Sequence, residues 1–171
     1  DNAWDVYWYG NNYGLKNFRS TLSEYGYALP LFPCIGNHDN DGATPCTDST
    51  DFEAAEPFRK IIAPNYYSFN IGKIHFVILD DIYYINSGSP SGTACVGSRN
   101  YKGHIPDYEL EWLRQDLRDI DHDTPLIIGQ HIPVWQRHTT VLDSSYANLR
   151  YEQFNSSVDL AEIVRDFKTV H

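Results

Sequence analysis

The sequence predicts an α/β fold. Short apolar runs of strand length alternate with segments of helical periodicity. Two of the runs flank a Gly-Lys pair and read as a hairpin. The strand ends carry Gly, Asn and His, at the sheet edge where open α/β folds place their sites.

Each element follows from its pattern. Leu15, Phe18, Leu22 and Tyr25 recur at helical spacing, so residues 12–25 are expected to form an amphipathic helix ended by Gly26. Ala28 to Ile35 is an apolar run interrupted by Pro30 and Pro33, read as a short strand ending at Gly36. Residues 37–50 are rich in Asn, Asp, Gly, Thr and Ser and read as a loop. Asp51 suits an N-cap for a helix running to about Ile62. Residues 66–71 and 74–79 form the hairpin around Gly72-Lys73, and the second strand is apolar enough to be buried on both faces. Residues 86–105 are a Gly/Ser-rich insertion of the length that often serves function. Leu110, Leu113, Leu117 and Ile120 mark a helix, 125–130 a buried strand, and 157–168 a last helix with Leu160, Val164 and Phe167 on one face. No internal repeat or low-complexity block interrupts this order.

Composition narrows the function classes. The chain has 171 residues, enough for one domain with a real core. Aromatic residues make up 15%, too many groups seeking burial for a disordered chain. The net charge of −10 repels phosphate backbones and anionic membrane surfaces, so nucleic acid is not an expected partner. No run approaches a membrane span. The chain opens on Asp1 without a signal peptide and holds no Met, so its first residue is not expected to be the natural start. Of three cysteines, Cys34 reads as buried, while Cys46 and Cys95 lie in polar stretches where a bridge could form in an oxidising compartment.

Two motifs carry chemistry. Gly36-Asn37-His38-Asp39 follows a strand. Asn offers a hard carbonyl oxygen for a divalent cation, and an Asp beside a His can fix its tautomer. The same four residues equally suit a polar turn. The second motif, Gly129-Gln130-His131-Ile132-Pro133, sets a His at the end of a buried strand. Alone, such a His is more often a satisfied hydrogen-bonding residue than a ligand.

Asp1, then a helix, a strand, Gly36-Asn37-His38-Asp39 and the strand-end His131 stand in an ordered series. In this series the sequence resembles the calcineurin-like metallophosphoesterases, whose pattern runs D-x-H, G-D, G-N-H-[DE], a single His and G-H-x-H. Asp1 looks like the aspartate of G-D, and the closing 167–171 looks like the lead into the strand carrying G-H-x-H. The first and last metal motifs are absent, so the resemblance implies the central part of one catalytic domain over 1–171, incomplete at both ends. It implies a sandwich of two mixed β-sheets flanked by helices. It implies two divalent metal ions, of Mn, Fe, Zn or Mg, with Asp1 bridging them and Asn37 and His131 on the second. His38 would stand by the substrate, oriented by Asp39, and a metal-bound hydroxide would attack phosphorus. The implied substrate is a small phosphorylated compound, first a phosphomonoester. The alternatives are a phosphodiesterase or pyrophosphohydrolase of the same family, and a non-catalytic binding scaffold. Purple acid phosphatases carry a metal-binding Tyr three residues after the G-D aspartate; Trp4 stands there, so no iron–tyrosinate colour is expected.

Other residues are weighed more lightly. Arg137 and His138 are candidates to face a phosphate, and Arg99 with Tyr101 a substrate rim; solvated loops are the plainer account of all four. His75 is expected to be packed and hydrogen-bonded, and Asp80 to orient a neighbour or cap a turn, a minor structural role. Asn155-Ser156-Ser157 fits a glycosylation sequon, a triplet that also arises by chance; the Tyr, Asn and Ser content and the Cys46–Cys95 bridge that could form lean towards an exported protein.

Overall fold

A computed structural model describes residues 1–3, 13–40, 51–86, 100–133 and 157–171. Helix α1 spans Tyr13–Glu24, with Leu15 buried. It closes on Gly26 at φ 66°, where Tyr27 N bonds Leu22 O at 2.9 Å and Gly26 N bonds Ser23 O at 3.1 Å. That pair of bonds satisfies orphan carbonyls in the Schellman manner, and the left-handed φ explains the glycine.

The stretch expected as a strand between Ala28 and Ile35 is not one. Pro30 and Pro33 have no N–H to give a ladder. Side-chain bonds tie it to the sheet instead: Tyr67 Oη donates to Pro33 O at 2.9 Å. A single 3₁₀ turn, Asn37–Asp39, follows. The helix expected from Asp51 to Ile62 is two pieces, α2 (Asp51–Ala54) and α3 (Glu56–Ile61). Pro57, in the first turn of α3, has no N–H to continue the ladder from α2.

The hairpin forms as expected. Strands β1 (Tyr67–Ile71) and β2 (Ile74–Ile78) pair antiparallel with Phe69 opposite Phe76, around a turn in which Gly72 takes φ 61°. Strand β5 (Leu126–Gly129) then pairs parallel to β2, giving a mixed sheet ordered β1-β2-β5. Beyond it the chain adds a parallel bridge, Leu126 to Val170, so 169–171 do run beside β5. The insertion is partly structured. Its last residues form β4 (Asn100–Gly103), paired antiparallel with β3 (Ile82–Asn86), while 87–99 lie outside the described residues. Helix α4 spans Asp107–Leu117, and α5 spans Ser157–Val164, stopping short of the expected Lys168.

Period-2 alternation sorts the sheet faces. Val77, Leu79 and Leu126 meet Leu110, Leu113 and Leu117 of α4 and Leu160 of α5 in one core. His75, on that same face, is 3% exposed and sits between Asn70 Oδ1 and Asp116 Oδ2, each at 2.9 Å. The opposite face carries a stack of Phe32, Phe69 and Phe76 with centroids 3.9 and 5.0 Å apart. A second core joins Ala3, Leu15, Ile35, Ala55 and Phe58. No helix among the described residues is long and apolar enough to cross a membrane. Leu113 is fully buried at the centre of the larger core. Leu113→Ala is expected to cost about 2–5 kcal/mol in urea unfolding; a loss below about 1 kcal/mol would contradict this packing.

Candidate metal centre

Parallel pairing brings three chain segments to one edge. The C-terminal ends of β2 and β5 lie side by side, with Leu79 N bonding Gly129 O at 2.9 Å. Cys34 Sγ reaches Leu79 O at 3.5 Å, which sets the Gly36 turn beside the same edge. Residues 36–39, 79–81 and 129–132 therefore surround the mouth of the sheet, the expected place for a site.

Three polar side chains converge there. His131 Nε2 lies 3.0 Å from Asn37 Oδ1 and 3.9 Å from Asp1 Oδ2. The other Asp1 oxygen accepts the backbone N–H of His38 at 2.8 Å. Burial keeps the His131 pKa below its usual value, against an opposing pull from Asp39. The ring is therefore neutral near pH 7, the form that offers a lone pair to a metal.

Asp39 is the residue that assembles this arrangement. Its carboxylate is fully buried. It accepts N–H bonds from Gly36 at 2.8 Å, Asn2 at 2.9 Å and Ala3 at 2.9 Å, and from the Asn2 side chain at 3.1 Å. The segment bearing Asp1 is thereby fastened to the turn bearing Asn37 and His38. Gly36 makes the closeness possible. Its φ of −125° suits any residue, but a Cβ there would come 2.7 Å from the Asp1 backbone nitrogen. The glycine is a matter of space.

A second carboxylate works from the other side. Asp81, fully buried, accepts Ile132 N at 2.6 Å and His131 N at 3.2 Å. Burial pushes its carboxyl up to about 7, and those two N–H bonds pull the other way. Sequence reasoning passed over it, because two aspartates after an apolar strand look alike. Asp80 points elsewhere, accepting Asn65 Nδ2 at 2.8 Å and capping the turn at Ile82 N. The half-buried Cys34 thiol is pushed up to about 12 by burial and by Asp81 and Asp80, so it is protonated at neutral pH.

Not every candidate falls in view. Arg99, Arg137, His138, Trp4, Cys46 and Cys95 lie outside the described residues, as does Asn155-Ser156 of the sequon. Tyr101 lies on β4. His122 is exposed and packs on Phe167.

The donor set fits a hard or borderline divalent ion. One carboxylate, one carboxamide oxygen and one neutral imidazole are its types. Ligands about 2.1 Å from an ion lie roughly 3 Å apart at right angles, the separation seen between Asn37 Oδ1 and His131 Nε2. Among the described residues no three His, Cys, Asp or Glu side chains gather to hold a metal. The third donor here is an amide.

A family model described as calcineurin-like phosphoesterase matches residues 5–165. Human serine/threonine-protein phosphatase CPPED1 is 28% identical over 134 residues, covering 78% of this chain. The protein of the same name from Pongo abelii matches to the same extent. The chain spans 38% of the length of these curated relatives.

Gly36→Ala is expected to push Asp1 away and weaken Mn²⁺ binding by about tenfold or more. Unchanged affinity in a calorimetric titration would show that the close approach at Gly36 does not matter.

Proposed function

The chain belongs to the calcineurin-like phosphoesterase family, and from that premise we propose that it takes part in metal-dependent hydrolysis of a phosphomonoester. The observation that carries the proposal is the meeting of Asn37 Oδ1 and His131 Nε2 at 3.0 Å beside Asp1. The family match and the phosphatase relatives support phosphoester hydrolysis as the reaction class.

In this reading residues 1–171 are the central part of one catalytic domain built as a two-sheet sandwich. Asn37, His131 and Asp1 would hold one divalent ion, and Asp1 would be shared with a second. Bound ions of this kind offset the charge of the phosphate and acidify a water. The chain's own residues do the rest. Neutral His131 and the Asn37 carbonyl present lone pairs to the cation. His38 stands on the same turn, where its imidazole can give a proton to the leaving oxygen. Asp39 keeps that turn, and His38 with it, in register with Asp1 through backbone N–H bonds. The metal centre, rather than the acidic surface, attracts the anionic substrate, since a bound ion is the largest local charge. Arg137, His138 and Arg99 are proposed to line the substrate side, and an exported location suits the Tyr, Asn and Ser content and a Cys46–Cys95 bridge. Mn, Fe, Zn and Mg all suit the donor types.

Two substitutions separate these roles. Asn37→Ala is expected to lower turnover at least about 100-fold together with metal content, since even outer-shell losses reach that size. His38→Ala is expected to lower turnover by about 10²–10⁴ with metal content retained. Activity is followed on an aryl phosphate monoester and its diester, with the monoester preferred. Full activity and full metal in Asn37→Ala would overturn the assignment of that residue. A diester preference would overturn the substrate class.

A further inference from the structure

The Asp81 carboxylate is fully buried and bonds the backbone that carries His131. Both of its oxygens are used, on His131 N and on Ile132 N, at 3.2 and 2.6 Å. The residue is itself anchored. Its carbonyl accepts His104 N at 3.0 Å, just beyond β4, and the residues leading to it bond to β5 through Leu79 N.

We propose that Asp81 is a positioning residue of the metal centre, fixing the turn after β5 so that His131 Nε2 faces Asn37 and Asp1. The inference rests on the metal-centre reading given above. Its physical content is a count of acceptors. Two backbone N–H groups converge on one fully buried side chain, each on its own oxygen, and a carboxylate offers an acceptor atom at both places where an amide offers one. An amide in its place keeps the size but turns an NH₂ group towards one of the N–H donors. The turn must then shift or leave a buried donor unmet. The His131 ring is 28% exposed in its side chain, so packing alone does not pin it. Its placement follows the turn, and displacement of a ligand by a fraction of an ångström weakens a metal site.

The plain alternative is that Asp81 only satisfies two buried N–H groups and stabilises the fold. The test separates the two. Mn²⁺ is titrated calorimetrically into the full chain, and Co²⁺ absorption reports ligand geometry. Wild type is compared with Asp81→Asn, His131→Ala and Asp116→Asn. The last breaks the buried contact to His75 and serves as a purely structural control. Asp81→Asn is expected to weaken Mn²⁺ by about 10–100-fold and to alter the Co²⁺ spectrum. Asp116→Asn is expected to lower the unfolding midpoint with both unchanged. Asp81→Asn behaving like Asp116→Asn overturns the inference. Should Asp81→Asn fail to fold, Asp81→Glu, which keeps both oxygens but displaces them, takes its place with the same two outcomes. A wild-type chain that binds no Mn²⁺, or His131→Ala that binds it undiminished, overturns the metal-centre reading and the inference with it. Weakened His131→Ala beside unchanged Asp81→Asn overturns the inference alone.

Discussion

The buried carboxylate of Asp39 is the contact on which the site depends. It joins segments 37 residues apart by taking backbone N–H groups from both. A buried charge of this kind is costly unless its oxygens are filled, and Asp39 fills them with four donors. Remove those bonds and Asp1 has no fixed relation to Asn37. The glycine at 36 answers the same constraint from the steric side, because the two backbones pass too close for any side chain between them.

Asp81 repeats the device across the site. Both aspartates are fully buried, both lie just past an apolar segment, and both accept mainly backbone N–H groups, with the Asn2 side chain added at Asp39. Between them they hold the three segments that carry Asp1, Asn37 and His131. The donors thus rest on a frame of β2, β5 and two buried carboxylates. Such support is what a metal site needs, since its ligands must be placed before the ion arrives. The excess of acidic groups at this edge also favours a cation over an anion as the first ligand.

Much of the fold was legible because its signals are local. The β1–β2 hairpin follows from alternation and from Gly72 at positive φ, and α4 from leucines at 110, 113 and 117. The apolar run from Ala28 misled, since hydrophobicity was legible but the prolines decided against a ladder. The β3–β4 pair was hidden because its strands meet across an insertion, and pairing at a distance leaves no periodic trace. The site was legible only in part. Asn37 and His131 lie 94 residues apart, so their meeting depends on parallel pairing that no local pattern encodes; the ordered motifs suggested it through resemblance. Asp81 left one faint signal, an Asp pair closing a buried strand. Which of the pair turns towards the site is settled by Asn65, which donates to the Asp80 carboxylate, and by Glu109, which accepts the Asp80 backbone N–H.

The most direct test of the account is anomalous diffraction from crystals of the chain soaked in Mn²⁺. The account predicts an ion about 2.2 Å from Asn37 Oδ1 and His131 Nε2, with an Asp1 oxygen in the same shell. An ion bound elsewhere, or these three side chains left without one at saturating Mn²⁺, would contradict it.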